Sequence, residues 1–269
     1  IDPYYASGTK CAEMCEAAEI PMIAFDSDIE EFNPQEDYKQ YISFIGPDDA
    51  DAGYNMACNL FDNATPDEDG TLYVGVVQGT PGTAVATNRE VGFDKALDEY
   101  TNDKGMKIEV VGRVNGDFAA ETSLSATEDL LQKSDKINGI WAANGGTATG
   151  VMAACKNAGL EPGKDITIVG MDLNSSNVEA VENGELQYDI GGHWLVGGYA
   201  VIQMYDYLNG CKIETPKTIL KLLPITKDTV DKFYTDYPDN IPANFDIKAA
   251  SQTNGGDAQY SSFEFKFSE

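Results

Sequence analysis

Apolar runs that alternate with amphipathic stretches organise most of this chain. The run 72–77, Leu-Tyr-Val-Gly-Val-Val, has the length and the β-branched content of a buried strand. A Gly/Pro turn follows at 79–82, and apolar positions then recur at helical spacing between Val91 and Leu97. Strand, turn and helix form half of a βαβ unit, and the same alternation continues along the sequence.

The alternation predicts the following elements. Strands are predicted at 20–26, 41–45, 72–77, 107–114, 137–143, 166–171 and 186–190, with an extended segment at 218–224. Helices are predicted at 6–18, 48–61, around 91–97, and at 120–132, 147–158, 176–183 and 197–208. Strands and helices at this spacing predict an α/β fold with parallel, doubly wound sheets. Alternation in 263–267 predicts a terminal strand or an aromatic contact with the body of the protein.

Composition restricts the classes of partner. The 269 residues include 18 Lys and Arg against 45 Asp and Glu, which gives a formal net charge of -27. Such a charge argues against a nucleic-acid partner and against adhesion to an anionic membrane. The sequence has no run of 18 or more apolar residues, so no transmembrane helix is predicted.

The cysteines do not form a disulfide-rich pattern. They are Cys11, Cys15, Cys58, Cys155 and Cys211. Cys11 and Cys15 are four residues apart on a predicted helix, a spacing compatible with a metal pair or a redox site. Small buried residues are the favoured interpretation, because no further His or Cys cluster is nearby. We therefore predict no metal site and no cofactor.

Polar or aromatic residues follow five predicted strands, at the ends where ligands bind in such folds. They are Asp26, Arg89, Phe118, Asn144 and Asp172. Carboxylate and amide groups hydrogen-bond to neighbouring sugar hydroxyls, a guanidinium donates to sugar oxygens, and an aromatic ring covers the C–H face of a sugar ring. The set predicts sugar binding. It does not predict catalysis, because no base is paired with a nucleophile.

Each of these residues also has an ordinary structural explanation. Asp26, Asn144 or Asp172 could each cap a helix. Arg89, one of two arginines in the chain, could form a surface ion pair, and Phe118 could belong to the core. The convergence of all five at carboxyl ends of strands favours the binding interpretation.

The segments that carry these residues match a known family from residue 1 to about 210. They are IPMIAFDS with Asp26, GTPGTAVATNREVGF with Arg89, NGDFAAETSLSATEDLLQ with Phe118, INGIWAANGG with Asn144, and DITIVGMDLN with Asp172. Together they resemble the type I periplasmic binding proteins for sugars, the ribose- and galactose-binding group of ABC transporter substrate-binding proteins. The resemblance implies a two-lobed fold and a ligand contact for each of the five residues.

The sequence departs from the family pattern at several positions. Gly145 stands where the family often has Asp, and Ser27 replaces the Arg of ribose binders, which argues against ribose itself. Gly-Gly-His-Trp at 191–194 stands where ribose binders carry Gln. His193, the single histidine, is therefore either a hydrogen-bonded hinge residue or, with Trp194, an altered sugar contact.

The resemblance also predicts the domain organisation. Residues 48–191 are expected to form a complete C-terminal lobe, and 1–47 a remnant of the N-terminal lobe. Residues 192–269 are expected to cross the hinge again, add a helix and a strand to the first lobe, and end in an extended tail. The first strands and helices of the family have no counterpart, so we expect an incomplete N-terminal lobe that exposes apolar sheet faces.

The resulting hypothesis is an extracytoplasmic solute-binding protein. It captures a sugar-like molecule between two lobes, delivers it to an ABC permease, and catalyses no reaction. A periplasmic or extracellular location, with a lipid anchor on a removed N-terminal cysteine, is compatible with it. The alternative is a ligand-sensing module of a transcriptional regulator or a membrane sensor kinase. A doubly wound enzyme is disfavoured, since the sequence lacks a GxGxxG fingerprint, a P-loop and a nucleophile elbow.

Overall fold

The computed structural model describes residues 1–3, 7–29, 31–241, 243, 246–258 and 265–268. The chain forms two compact units. Unit 1 comprises Ile1–Asp48, Gly192–Leu222 and Thr235–Glu269, and unit 2 comprises Asp49–Gly191 and Leu223–Tyr234.

The strands in chain order are β1 (Met22–Phe25), β2 (Tyr41–Pro47), β3 (Thr71–Gln78), β4 (Lys107–Asn115), β5 (Gly139–Ala142), β6 (Thr167–Asp172), β7 (Tyr188–Gly191), β8 (Lys217–Leu220) and β9 (Leu223–Ile225). The helices are α1 (Gly8–Ala18), α2 (Asp49–Asn63), α3 (Ala84–Asp98), α4 (Ala120–Lys133), α5 (Gly145–Asn157), α6 (Ser175–Asn183), α7 (Val196–Leu208) and α8 (Val230–Asp236). A π-helical turn, Glu99–Asp103, extends α3, and 3₁₀ turns cover His193–Leu195 and Pro238–Asn240.

Unit 1 contains a parallel sheet in the strand order β1-β2-β8. Strand β2 is buried along its whole length. On one face, Tyr41 and Phe44 of β2 pack with Met22 and Ala24 of β1 and with Ala12 of α1. This cluster supplies the apolar contact that a three-stranded sheet needs for stability.

Unit 2 contains a six-stranded sheet in the order β4-β3-β5-β6-β7-β9, in which only the β7–β9 pair is antiparallel. Its core includes edge-to-face aromatic contacts of Phe93 with Phe61 and Trp141, with ring centroids 5.8 and 5.6 Å apart. The parallel arrangement brings the carboxyl ends of β3 to β7 to one edge of the sheet.

Helices α2 and α3 touch backbone to backbone at two glycines. A Cβ atom at Gly53 would overlap the carbonyl oxygen of Arg89, and one at Gly92 would overlap that of Ala50. The close contact therefore depends on the missing side chains. It brings the first turn of α2 next to the middle of α3.

The α/β fold with mainly parallel sheets is confirmed, and the predicted helices and the strands before residue 210 overlap observed ones. One correction concerns residues 218–224, which form parts of two strands in different sheets. Another concerns residues 223–234, which do not belong with the rest of 192–269 as the sequence predicts. These residues belong to unit 2, because β9 pairs with β7.

Three local features differ from the pattern that the sequence predicts. Helix α8 was not predicted, since seven residues are too short to show a helical period. Val91 is 54% exposed, because the buried face of α3 runs through Arg89, Phe93 and Ala96. The predicted terminal strand lies partly outside the described residues, and 265–268 are not in a strand.

The aromatic contact of the tail is present for Phe265. This ring is 4% exposed and lies 5.7 Å from Trp194 and 6.2 Å from Tyr237, between ring centroids. The Tyr237 hydroxyl donates to the Lys266 carbonyl at 2.7 Å, and the Lys266 N–H donates back to that hydroxyl at 3.0 Å. Residues 265–268 are therefore held against the rest of unit 1, with Phe265 beside Gly192.

The cysteines are all free, and burial raises the pKa of the Cys155 thiol to about 12. Within the described ranges, no cluster of His, Cys, Asp and Glu side chains has the size to hold a metal ion. In the same ranges, no helix combines the length and the apolar character that crossing a bilayer requires.

Candidate functional site

Four of the predicted ligand residues lie in unit 2. Phe118 follows β4, Arg89 lies on the helix after β3, Asn144 follows β5, and Asp172 ends β6. Because these four strands are neighbours and parallel, the residues lie along one carboxyl edge of the sheet.

Arg89 is buried, not a surface residue. It is 4% exposed, and its Nε donates to Asp49 Oδ1 at 2.8 Å. Its Nη1 donates to the carbonyl oxygen of Ala143 at 2.8 Å. The surface-ion-pair interpretation of Arg89 is therefore wrong, because α3 turns this side chain inward and its partner Asp49 is only 8% exposed.

The partner carboxylate is placed by helix packing. Asp49 is the first residue of α2, where a negative charge is stabilised by the helix dipole. The close contact of α2 and α3 at Gly53 and Gly92 brings Asp49 within reach of Arg89. The two contacts of Arg89 thus link the start of α2 to the end of β5.

Phe118 lies against the guanidinium. The Arg89 Cζ is 5.5 Å from the centre of the Phe118 ring, which is a cation–π distance. The ring also lies so close to Gly79 that a Cβ there would overlap it. Phe118 is half-buried, so it is not simply a core residue. Asp117 and Phe118 both have a φ of 55°, so the backbone at this turn is left-handed.

Asn144 performs the capping role considered above. Its Oδ1 accepts from the Thr147 N–H at 2.8 Å, as the N-cap of α5. A Cβ at the neighbouring Gly146 would lie 2.5 Å from the Phe118 carbonyl oxygen and 3.6 Å from Asn144 Oδ1, so the two residues are close together. With the oxygen engaged, Asn144 presents its NH₂ group as a donor.

Asp172 also contacts the start of α5. Its Oδ2 accepts from the Gly145 N–H at 3.0 Å. Helix α6 is instead capped by Asn174, so Asp172 is not the cap of the helix that follows it. Its φ is 105° and that of Leu173 is 55°, left-handed values that are unfavourable outside glycine. Such values concentrate at functional sites.

The other three predicted residues lie in unit 1. Asp26 follows β1, is half-buried, has a φ of 65°, and donates its N–H to the Ile45 carbonyl at 3.0 Å. His193 and Trp194 begin the turn before α7, and both are half-buried. The contacts that group Arg89, Phe118, Asn144 and Asp172 are thus internal to unit 2.

Two acidic residues of the site were not recognised in the sequence. Asp49 is not among the residues that the sequence predicts as ligand contacts, although it lies in the predicted helix 48–61. Asp189 is fully buried in β7, and its Oδ2 accepts from the Leu173 N–H at 3.2 Å. The available signal was an acidic residue between Tyr188 and Ile190 in a predicted buried strand, since acidic side chains are seldom fully buried without a partner.

Comparison with known proteins gives the family. A model of the periplasmic binding protein domain matches residues 6–212. The ribose import binding protein of Haemophilus influenzae is 31% identical over 164 residues, 61% of this chain and 50% of that protein. The corresponding protein of Bacillus subtilis is 25% identical over 221 residues, 81% of this chain and 65% of that protein. The chain thus spans about half to two thirds of the length of these relatives.

Solved structures show the same fold. The periplasmic component of the arabinose ABC transporter from Shewanella sp. ANA-3, bound to L-arabinofuranose, superposes with a TM-score of 0.75 at 23% identity. The match covers 88% of this chain and 74% of that one. With the domain match over most of the sequence, these likenesses confirm the resemblance: the chain belongs to the periplasmic binding protein family.

Proposed function

We propose that this protein binds a sugar or a sugar-like molecule at the carboxyl edge of the unit 2 sheet, without catalysing a reaction. The observation that carries the proposal is the grouping of Arg89, Phe118, Asn144 and Asp172. It combines a buried cation, an aromatic ring, an amide and a carboxylate within one set of contacts.

The chemistry of the group suits a neutral ligand rich in hydroxyl groups. Asp172 is an acceptor for hydroxyl protons, while Arg89 and Asn144 are donors for hydroxyl and ring oxygens. The Phe118 ring offers an apolar surface to C–H groups. None of the four is a nucleophile paired with a general base, which favours binding over catalysis.

The relatives support pentoses and furanoses as first ligands to test. One relative is named for ribose import, and one similar structure holds L-arabinofuranose. Asp26, His193 and Trp194 of unit 1 stay predicted ligand contacts. At the level of physiology, we propose delivery of the ligand to an ABC permease outside the cytoplasm, with lipid anchoring as a further part of this proposal.

The test is calorimetric titration of the chain with D-ribose, L-arabinose, D-galactose, D-fucose and D-allose, supported by thermal shifts. Asp172→Ala is the main variant, because Arg89→Ala would leave Asp49 buried without its partner. We expect at least one sugar to bind and Asp172→Ala to weaken it by about tenfold or more, as expected for loss of a charged hydrogen-bonding group.

Asp165→Ala is the matched control. Asp165 is an exposed carboxylate of unit 2 that accepts the Glu161 N–H at 2.8 Å, and it precedes β6, at the opposite end from Asp172. Its removal should leave affinity unchanged. Absence of binding for all five sugars, or equal losses for the two variants, would contradict the proposal. Recovery of a chemically altered sugar would contradict the absence of catalysis.

A further inference from the structure

A second carboxyl group lies close to Asp172, next to the turn that Asp172 begins. Asp189, in β7, is 0% exposed and is paired in register with Gly170 of β6. A Cβ at Gly170 would lie 3.6 Å from Asp189 Oδ1 and 3.6 Å from Asn177 Nδ2, so both polar groups are beside this glycine. The Thr149 hydroxyl donates to Asn177 Oδ1 at 3.3 Å, which fixes the orientation of the amide.

The backbone that carries Asp172 is unusual. Asp172 and Leu173 are consecutive residues with positive φ, at 105° and 55°. A Cβ at Gly191 would lie 2.6 Å from the carbonyl carbon of Asp172 and 2.9 Å from Leu173 Cγ, so the turn fits only because Gly191 has no side chain. L-residues adopt this conformation only where surrounding contacts enforce it.

One of those contacts comes from Asp189. Its Oδ2 accepts the Leu173 N–H at 3.2 Å, at the centre of the left-handed pair. The Leu173 side chain is itself fully buried. Because both residues are buried, the loss of Asp189 would leave the Leu173 N–H without its hydrogen-bond acceptor. An unsatisfied buried donor of this kind costs free energy.

We infer that Asp189 is the positioning residue for Asp172: its buried carboxyl group holds the Leu173 amide and thereby directs the Asp172 carboxylate toward the Gly145 N–H and the ligand. The effect on ligand affinity rests on the proposed function. The effect on the turn does not.

The electrostatic surroundings favour an uncharged Asp189. Burial raises the pKa of its carboxyl group well above the ordinary range, and the nearby charge of Asp172 adds to the rise. Hydrogen bonds to the carboxyl group lower its pKa, but by less than burial raises it. They come from the backbone N–H groups of Leu173 and Ile190 and from the Asn177 amide. Tyr188 is adjacent in the strand, and its pKa is raised by burial and further by the charges of Asp51, Asp189 and Cys58. A neutral carboxyl group still accepts a hydrogen bond through its carbonyl oxygen, and the side-chain amide of asparagine can take over that role.

The experiment compares Asp189→Asn with Asp189→Val in the full chain. Hydrogen exchange of the Leu173 amide is measured without ligand, and affinity is measured with D-ribose and L-arabinose. Asp165→Val is the control, because it removes a carboxylate–amide bond in the same unit away from Asp172. Asp189→Asn should keep exchange and affinity within about threefold of wild type, since its Oδ1 still accepts. Asp189→Val should accelerate exchange and weaken the sugar by about tenfold or more.

A second readout does not depend on the stability of Asp189→Val. The Leu173 amide proton should change its chemical shift in Asp189→Asn, because its acceptor changes from carboxyl to amide. The Glu161 amide, bound to the unaltered Asp165, serves as the internal reference. An unchanged Leu173 resonance, or unchanged exchange in a folded Asp189→Val, overturns the inference whether or not sugar binds. Failure of the wild-type chain to bind any sugar, with altered Leu173 behaviour, contradicts only the proposed function and leaves the positioning of the turn supported.

Discussion

At the scale of single residues, Arg89 and Asp49 decide how the site is built. Both side chains are almost fully buried, at 5% and 9% exposure, and their N–O distance is 2.8 Å. Removing two opposite charges from water has a cost that their mutual attraction offsets only while both are present. The pair therefore holds the guanidinium in place more than it adds net stability.

The first prediction follows from this dependence. Asp49→Asn should reduce the free energy of unfolding by about 3 kcal/mol, because it leaves a buried guanidinium without its counter-charge. Urea denaturation measures the loss. Asp51→Asn is the matched control, since Asp51 is exposed in the same helical turn, and its effect should stay within about 0.5 kcal/mol. Similar losses in the two variants would show that the burial of Asp49 has no energetic role.

The second prediction concerns pH and Asp189. An acid whose pKa is raised by folding keeps its proton in the native state after the unfolded state has lost it. The contribution of Asp189 to stability should therefore fall as pH rises above about 4, the ordinary pKa of Asp, until the native group ionises. Asp189→Asn has no ionisable group at this position, so this contribution to the pH dependence of stability should be absent in the variant. Urea midpoints measured from pH 4 upward for both proteins check it, and parallel pH profiles would contradict it.

Sequence alone could find the residues at strand ends but not their supports. Arg89, Phe118, Asn144 and Asp172 follow predicted strands, so their common edge can be deduced from chain order. Asp49 lies 40 residues from Arg89, and Asp189 lies 16 residues from Leu173. These pairings depend on helix packing and on strand register, which periodicity does not specify. The left-handed backbone at Asp172 and Leu173 could not be predicted either, because Asp is only moderately enriched at positive φ and Leu disfavours it.

At the scale of elements, the contact of α2 with α3 is the feature that positions the buried pair. The two helices approach this closely only because Gly53 and Gly92 have no side chains. Sequence showed two amphipathic helices but gave no reason for their glycines, because a glycine inside a helix usually weakens it.

The third prediction tests this contact. Gly92→Ala should destabilise the protein by about 1–3 kcal/mol, because the added methyl group meets the backbone of α2 at Ala50 and Tyr54. Gly198→Ala in α7 is the control, since its added Cβ meets open space. That change should stabilise by about 0.5–1 kcal/mol through helix propensity. Thermal and urea unfolding compare the two, and a neutral Gly92→Ala would mean that the helices separate without cost.

The short elements show where periodicity stops being informative. Strand β9 has three residues and α8 has seven, and neither covers enough periods to be recognised. The extended run 218–224 was predicted as one segment, whereas the chain passes from unit 1 to unit 2 between Leu222 and Leu223. A passage between units within one apolar run becomes visible only when the partner strands, β2 and β7, are known.

At the scale of the whole molecule, charge is the dominant property. The 45 acidic residues outnumber the 18 basic residues, and the net charge of -27 is carried by only 269 residues. Many lysines and arginines already have acidic partners: Arg113, for example, pairs with Glu90 and Asp94. The remaining acidic groups repel one another, and this repulsion is relieved when the chain expands.

The last prediction is that salt stabilises the folded protein. Raising NaCl from about 10 mM to about 1 M shortens the screening length from about 30 Å to about 3 Å, so long-range repulsion is removed. Salt also weakens exposed ion pairs such as Lys164–Glu161, but each of these contributes little. The melting temperature should therefore rise by several degrees. KCl and tetramethylammonium chloride at equal ionic strength should reproduce the rise if screening is its cause. A rise confined to one cation would indicate ion binding instead, and a fall would mean that local ion pairs outweigh the repulsion of the excess acidic groups.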